Sequence, residues 1–235
     1  MPQRHTYGGQ AVIEGVLIRG RRFISLAVRR QNSEIFTECK PINPIYSSLL
    51  RKLPIIRGVL VLIETLIMGI QALNRSAAIA IEDQLDPGES GIPGWMTAGS
   101  FLLAIIVGIG IFFISPLFAA RALDDYISSS IISNLIEGII RLSFVVVYIS
   151  LIGLMKDIKR VFSYHGAEHM VVHTHEAGMP LTIENARRFP TAHPRCGTAF
   201  LLTVMVIAII VFSLIGRPSM VWSIASRVAL LPLIA

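Results

Sequence analysis

The sequence has little charge for its length. Charged residues make up only 15% of the chain, whereas apolar residues make up 53% and the mean hydropathy is +0.66. A soluble domain carries about 25% charged residues, so this chain has too few charges to cover its own surface. This composition excludes an ordinary soluble protein. We therefore predict a mainly α-helical polytopic membrane protein that contacts the lipid bilayer, with a small N-terminal β unit.

Cysteine is also scarce, since the chain has only Cys39 and Cys196. Two cysteines do not make a disulfide framework, and both are expected to be reduced in a cytosolic setting. The N-terminus "MPQRHTYGGQ" lacks the apolar core of a signal peptide, so internal spans are expected to direct insertion. The pI of about 9.7 does not predict nucleic-acid binding, because the basic residues are dispersed and basic residues near apolar spans more often set orientation.

The first part of the chain predicts two regions of different type. Residues 1–44 indicate a β/turn unit, in which "QAVIEGVLIRG" predicts one strand with a glycine bulge or a close backbone approach and "QNSE" predicts a hairpin tip. Residues 45–98 predict interfacial or packed helices and an acidic linker, "DQLDPGESGIPG". Within the helix, a buried Glu64 needs a partner, for which Arg57 and Arg75 are the candidates.

Residues 99–235 predict a transmembrane helical domain. Its apolar runs indicate spans at about 100–120, 138–155 and 198–215, and a fourth that starts near residue 220. Basic residues concentrate in the segment 156–197. Because positive residues stay on the cytosolic side, we expect this segment and the N-terminal β unit to be cytosolic.

The stretch "YHGAEHMVVHTHEAG" contains four of the six histidines. It predicts a helix over 162–177, with Gly178 in the position after its end and Thr182 capping a further short helix. At 100° per residue, one face of this helix gathers its metal-binding residue types, while His175 points away. That face consists of His165, Glu168, His169, Val172, His173 and Glu176.

His165 and His169 lie one helical turn apart, at about 6 Å, the spacing at which two imidazoles can share one cation. The order His-x-x-Glu-His is the inverted zinc-peptidase signature, in which the glutamate takes a proton from water. A bound zinc ion lowers the pKa of such a water to about 7. The pattern therefore predicts a divalent metal, Zn²⁺ first, with Glu168 as the general base.

A third ligand must come from elsewhere, because His173 is roughly 12 Å from His165 along a straight helix. The leading candidates are His193 and Cys196, which follow the helical segment. His173 is expected either to bind a second metal, with His169 or Glu176, or to orient the first ligands. Weaker candidates for the third ligand are Glu14 and Glu64.

Structural explanations compete with each of these assignments. The histidines could simply bond to neighbours and lipid headgroups on a surface helix. Cys196 could be a small buried residue or a nucleophile paired with His193. "GGQAVIEG" could be no more than a glycine-bent strand, since it lacks the lysine and the spacing of a phosphate loop.

Four motifs in order, "GGQAVIEGVLIRG", "RGVLVLIETL", "YHGAEH" and "HPRCGTAF", resemble the YqhQ-like bacterial membrane proteins, a domain-of-unknown-function family labelled as predicted metal-dependent enzymes. The resemblance covers nearly the whole chain. It implies a multi-pass protein of the bacterial cytoplasmic (inner) membrane. The family pattern usually continues into a cytosolic tail after the fourth span, whereas this chain stops at Ala235. The positions carried over are Gly9, Gln10, Glu14, Glu64, His165, Glu168, His169, Glu176, His193, Arg195 and Cys196.

Three functions follow as hypotheses. The first is a cytosol-facing, zinc-type hydrolase acting on a peptide, an amide or a lipid-linked substrate, with Arg195 steadying an oxyanion or an anionic substrate group. The second is a non-catalytic membrane scaffold or assembly factor with a structural metal. The third, transport of a metal or small ion, is weaker, because Asn134, Glu137 and Arg141 are expected at the mouth of the second span and not at its middle.

Overall fold

The computed structural model describes residues 7–42, 54–81, 94–123, 126–215, 219, 221–223, 225–226 and 230. The chain divides into two compact units. The first comprises Met1–Gly91 and Gly153–Pro194, and the second comprises Ile92–Ile152 and Arg195–Ala235. The predicted acidic linker and most of the predicted fourth span lie outside the described residues.

The regular elements follow the chain in a simple order. The strands are β1 (Gly8–Val12), β2 (Gly15–Arg19), β3 (Phe23–Arg29) and β4 (Ile35–Pro41). The helices in the described part are α1 (Pro54–Ile81), α2 (Gly94–Ile109), α3 (Ser115–Arg121), α4 (Ser130–Ile152), α5 (Lys156–Glu176), α6 (Ile183–Ala186) and α7 (Gly197–Ile215). The mainly helical character and the N-terminal β unit are confirmed.

The four strands form one antiparallel sheet in the order β1-β2-β3-β4. The prediction that "QAVIEGVLIRG" forms a single bulged strand is wrong, because the chain reverses between β1 and β2, with Glu14 at a φ of 56°. The predicted close backbone approach occurs at Gly15, where an added Cβ would lie 2.1 Å from the Ala27 carbonyl oxygen. The hairpin tip at "QNSE" is confirmed, since the Arg30 amide donates to the Glu34 carbonyl at 2.8 Å.

One face of the sheet packs against α1. Alternation along the strands places apolar side chains on that face, and Ala72 and Ile79 of α1 complete the cluster. The buried strand residues are Val12, Leu17, Leu26 and Val28. α1 is therefore packed against the sheet along this part of its length.

The carboxylate of Glu64 is fully buried and pairs with Arg19 of β2. Arg75, one of its expected partners, instead pairs with Glu38, with 3.5 Å between Nε and Oε2. The side chain of Arg57, the other expected partner, lies outside the described part of the chain. A buried carboxylate needs a cationic or hydrogen-bonding partner, so the Arg19–Glu64 pair ties the sheet to α1.

Among the described residues, the second unit has three helical stretches that are long and apolar enough to cross a membrane. They are Ala98–Arg121, Ser130–Ile152 and Gly197–Ile215. Only 11%, 11% and 22% of their most apolar windows are buried within the protein, so most of this apolar surface faces outward, as lipid contact requires. The first and third match the predicted spans, whereas the second begins at Ser130 and not near residue 138.

A π-helical turn, Gly110–Ile114, joins α2 to α3. Pro116 has no amide hydrogen, which frees the carbonyl four residues before it. That carbonyl belongs to Phe112 and accepts a hydrogen bond from Nε of Arg141 at 3.1 Å, while the same guanidinium pairs with Glu137 at 2.8 Å. Arg141 lies midway along α4, so the prediction that these polar residues sit at the mouth of the second span is wrong.

α5 begins at Lys156, six residues before the predicted start, and it ends at Glu176, one residue before the predicted end. Gly178 adopts a φ of 70° just beyond the helix, the left-handed conformation that glycine accepts without a Cβ penalty. Thr182 caps α6 by accepting from the Asn185 amide at 3.4 Å. Because α5 packs against β1 and β2, its histidine face lies beside the glycine-rich first hairpin.

The Arg19–Glu64 pair provides a test of this fold. Arg19→Ala should lower the free energy of unfolding by about 3 kcal/mol, near the low end for breaking a buried pair, because Arg19 itself is partly exposed. Thermal and denaturant unfolding of the full chain in detergent would measure this. Arg21→Ala, at an exposed position near the same strand end, is the control. An equal effect of both changes would show that the pair does not stabilise the unit.

Candidate metal centre

His165, Glu168 and His169, here called the HxxEH cluster, converge on one face of α5. The ring centroids of the two histidines are 4.2 Å apart. Oε2 of Glu168 lies 3.9 Å from Nδ1 of His165 and 3.6 Å from Nε2 of His169. Glu168 and His169 are buried. The predicted helical stripe is therefore confirmed, and it brings two imidazoles and one carboxylate together.

The backbone of the segment after α6 orients His169. Nδ1 of His169 is 2.6 Å from the carbonyl oxygen of Thr191. A carbonyl can only accept, so Nδ1 carries the hydrogen and the neutral ring keeps its lone pair on Nε2. Metal-binding histidines commonly donate their other N–H to a backbone carbonyl in this way. Nε2, which faces Glu168, is thus the nitrogen available to a metal.

His173 is held by the next carbonyl in the same segment. Its Nε2 lies 3.0 Å from the Ala192 oxygen, and its ring stacks on Phe189 with 5.8 Å between centroids. The segment can come close to α5 because the helix has Gly166 there, where an added Cβ would be 3.1 Å from Cγ2 of Thr191. Consecutive carbonyls therefore fix two histidines that are one turn apart.

His193 lies beside the end of α5, with His173 and Glu176, and these three residues are here called the distal trio. The His193 and His173 rings are 4.4 Å apart, whereas those of His193 and His169 are 5.6 Å apart. Nε2 of His193 is 3.5 Å from Oε2 of Glu176. One ligand atom from each member lies within 4.8 Å of the others. The structure thus groups His193 more closely with the trio than with the HxxEH cluster, for which it was a predicted ligand.

Strand β1 passes directly against the Glu168 carboxylate at Gly9. A Cβ at Gly9 would lie 2.1 Å from Oε1 of Glu168, so no side chain fits there without moving the carboxylate. Gly8 has no heavy atom within 4 Å of the corresponding position. The two glycines of "GGQ" therefore differ, and only the second is required by the site.

Burial controls the protonation of the cluster. Burial raises the pKa of the Glu168 carboxyl, although the charges of His169 and His193 oppose this. Burial also lowers the pKa of His165, with a further contribution from the charge of His169. Burial and the charges of His173 and His169 lower the pKa of His193. Burial therefore favours the neutral forms of His165 and His193, and a neutral imidazole is the form that binds metals.

The predicted supporting residues of the first unit have other contacts. Glu14 pairs with Arg160 and lies 3.3 Å from the hydroxyl of Tyr164, so it anchors the β1–β2 turn to α5. The amide of Gln10 packs over Gly69 of α1, where an added Cβ would be 2.7 Å from its Nε2. Glu64 pairs with Arg19, as described above.

Two predicted site residues, Arg195 and Cys196, belong to the second unit. Cys196 is buried, and its Sγ lies 2.9 Å from the Thr198 hydroxyl at the start of α7. Arg195 is exposed. Their roles as third ligand and as oxyanion partner stay predictions from the sequence.

The sequence did not indicate the two carbonyls, of Thr191 and Ala192, that orient the rings. Backbone acceptors carry no residue-type signal, so the side-chain pattern could not identify them. His175 was expected to point away from the site, and it packs edge-on against Tyr7 with 4.8 Å between ring centroids. Through that contact, His175 packs against the N-terminal β unit.

Comparison with known proteins places the chain in a family. A family described as "Protein of unknown function (DUF1385)" matches residues 53–235. The chain belongs to this family. It is also 31% identical to the uncharacterized protein YqhQ of Bacillus subtilis (strain 168), over 97% of this chain and 75% of that relative. No solved structure matches significantly. The YqhQ-like resemblance is therefore confirmed, whereas the metal-enzyme label finds no support in these matches.

Gly9 of this DUF1385 member can be tested against Glu168 with a double-mutant cycle. Gly9→Ala should lower the free energy of unfolding by about 1–3 kcal/mol, because the added methyl overlaps the carboxylate. In a Glu168→Ala background the same change should cost much less, since the obstructing atoms are gone. Gly8→Ala is the control and should be neutral. Equal costs of Gly9→Ala in both backgrounds would contradict the assigned contact.

The raised pKa of Glu168 predicts a pH-dependent stability. Because the folded-state pKa lies above the unfolded one, Glu168 destabilises the metal-free protein increasingly as pH rises through the folded-state pKa. Glu168→Gln should therefore melt above wild type at pH 8 in the presence of a chelator, and this advantage should disappear near pH 4. Glu184→Gln, at an exposed position of α6, should show no such difference. A pH-independent gap between Glu168→Gln and wild type would contradict the assignment.

Proposed function

We propose that this protein is a membrane-embedded, zinc-type hydrolase whose active site is the HxxEH cluster. The observation that carries the proposal is the position of Glu168, a buried carboxylate within 4 Å of nitrogen atoms on two histidines. A group with a raised pKa beside two metal-binding nitrogens is suited to proton transfer near neutral pH. Burial, which lowers the pKa of His165, favours the neutral imidazole that a metal ion requires.

Each residue of the cluster has a separate proposed role. His165 and His169 hold the ion, and the Thr191 carbonyl keeps Nε2 of His169 directed into the cluster. When bound, a zinc ion lowers the pKa of water and polarises a substrate carbonyl. Glu168 takes the proton from the attacking water and returns it to the leaving group. The Gly9 backbone holds the carboxylate in place from the other side.

Two further roles extend beyond the first unit. Cys196 is proposed as the third ligand, since a catalytic zinc site needs three protein ligands, and Arg195 as the group that steadies an oxyanion or an anionic part of the substrate. The substrate is proposed to be a peptide, an amide or a lipid-linked molecule. Zinc is the proposed metal, because imidazole and thiolate ligands favour it.

The membrane arrangement supports a site on the cytosolic side. Three helices are apolar enough to cross a membrane, and the family includes a bacterial member. The segment 156–197, which carries the cluster, is rich in Lys and Arg, and such segments stay in the cytosol. We therefore place the protein in the bacterial cytoplasmic membrane as a multi-pass protein with a cytosolic N-terminus.

Glu168→Gln tests the proposal. Elemental analysis of the purified full chain should find the same zinc content in Glu168→Gln as in wild type, whereas the His165→Ala/His169→Ala variant should lose the ion of the HxxEH cluster. In lipid vesicles, mass spectrometry should find peptides from a mixed library that wild type cleaves and that Glu168→Gln cleaves at least about 100-fold more slowly. His175→Asn is the matched control, because it removes a histidine from α5 outside the cluster.

Results opposite to those expected for a hydrolase would favour the alternative function, a scaffold or assembly factor with a structural metal. In that case Glu168→Gln would keep both the metal and every measured property of wild type. His165→Ala and Cys196→Ser would lower thermal stability, because a structural zinc ion contributes directly to folding. A purified protein without any metal would contradict the hydrolase proposal outright.

A further inference from the structure

We propose that His173, Glu176 and His193, the distal trio, form a second divalent-cation site, separate from the HxxEH cluster. The proposal goes beyond the hydrolase function and holds whether or not Glu168 is a base. It concerns residues of the first unit only. The chemical class of the ligand is a zinc-like transition-metal ion, because two imidazoles and one carboxylate suit such ions better than Mg²⁺ or Ca²⁺, which prefer oxygen.

The spacing of the trio fits a shared ion better than a direct hydrogen bond. Two ligand atoms bound to one zinc ion at the usual bond lengths and a tetrahedral angle are about 3.4 Å apart. Nε2 of His193 and Oε2 of Glu176 are 3.5 Å apart, whereas N–H···O bonds are most often near 2.9–3.0 Å. One ligand atom from each of the three residues lies within 4.8 Å of the other two. The three groups converge without being in tight contact.

The trio is also partly assembled in advance. His173 is fixed by the Ala192 carbonyl at 3.0 Å and by stacking on Phe189. His193 is buried, whereas the Glu176 side chain is 30% exposed. An ion can therefore reach the trio from solvent on the Glu176 side, where His173 is already held in place. Such preorganisation reduces the ordering cost of binding.

One ion cannot serve both groups of ligands. His165 and His173 are eight residues apart on α5, about 12 Å along the axis, and zinc–nitrogen bonds are about 2 Å long. The competing interpretation is that Glu176 only orients His193, which would then bind the ion of the HxxEH cluster through its other nitrogen. The two interpretations predict different numbers of bound ions per chain. Only the two-site interpretation predicts that the trio binds an ion when the HxxEH histidines are removed.

Zinc stoichiometry distinguishes them. The full chain, purified in detergent and stripped with a chelator, is dialysed against Zn²⁺, and bound metal is measured by elemental analysis. We expect two ions per chain for wild type and for the His175→Asn control, and one for His165→Ala/His169→Ala. We expect one for His173→Asn/Glu176→Gln and none when all four residues are changed. No binding by His165→Ala/His169→Ala, or undiminished binding by His173→Asn/Glu176→Gln, would overturn the proposal.

A second measurement, of the melting temperature, shows whether a variant that binds Zn²⁺ is folded. Zn²⁺ binds the folded state, so it should raise the melting temperature of His165→Ala/His169→Ala, while Mg²⁺ should not. Adding Glu176→Gln to that variant should weaken the remaining site by more than the roughly 10–100-fold that loss of an orienting partner costs. A smaller loss would show that Glu176 is not a ligand. Because these variants lack the HxxEH histidines, the result does not depend on hydrolase activity.

Discussion

The arrangement of the histidines depends on two consecutive backbone carbonyls, those of Thr191 and Ala192. A carbonyl oxygen can only accept a hydrogen bond, so each carbonyl fixes which ring nitrogen carries the hydrogen and how the ring is turned. The segment reaches α5 because Gly166 leaves room for Thr191. His169 is oriented toward Glu168 by one carbonyl, and His173 is held near His193 by the other. The HxxEH cluster and the distal trio therefore both depend on the path of one short segment over one helix.

Burial of the Glu168 carboxylate lowers the stability of the fold, although the same residue belongs to the candidate site. Burying a carboxylate is unfavourable unless it is paired, yet the fold places this carboxylate under the backbone of β1 and requires glycine at position 9 to admit it. The nearby imidazoles offset part of the cost only when they are charged, and burial keeps His165 and His193 neutral. A divalent ion would supply the missing positive charge without protonating the rings. The cluster is thus destabilising by itself and favourable with a cation, which is typical of functional sites.

Local periodicity made much of this site predictable. The HxxEH cluster and its helical stripe depend on residues three and four positions apart, and the geometry of an α-helix fixes those neighbours. The caps at Gly178 and Thr182 were predictable for the same reason. The Arg19–Glu64 pair and the grouping of His193 with His173 and Glu176 depend on how distant segments pack, which no local pattern encodes. The second span was predicted to begin near residue 138, whereas its helix begins at Ser130. Within that helix Glu137 pairs with Arg141, and the Phe112 carbonyl accepts a hydrogen bond from Arg141.

The two proposed sites are physically connected through the segment that precedes the second unit. An ion held by the distal trio would join the end of α5 to His193, and His193 follows directly after the carbonyls of Thr191 and Ala192. Restricting His193 therefore also restricts the carbonyl that sets the tautomer and direction of His169. The chain of rings from His165 through His169 and His193 to His173, with centroids 4.2, 5.6 and 4.4 Å apart, gives this connection a short and packed path. On this view the distal ion has a positioning role, because it holds in place the backbone on which the geometry of the HxxEH cluster depends.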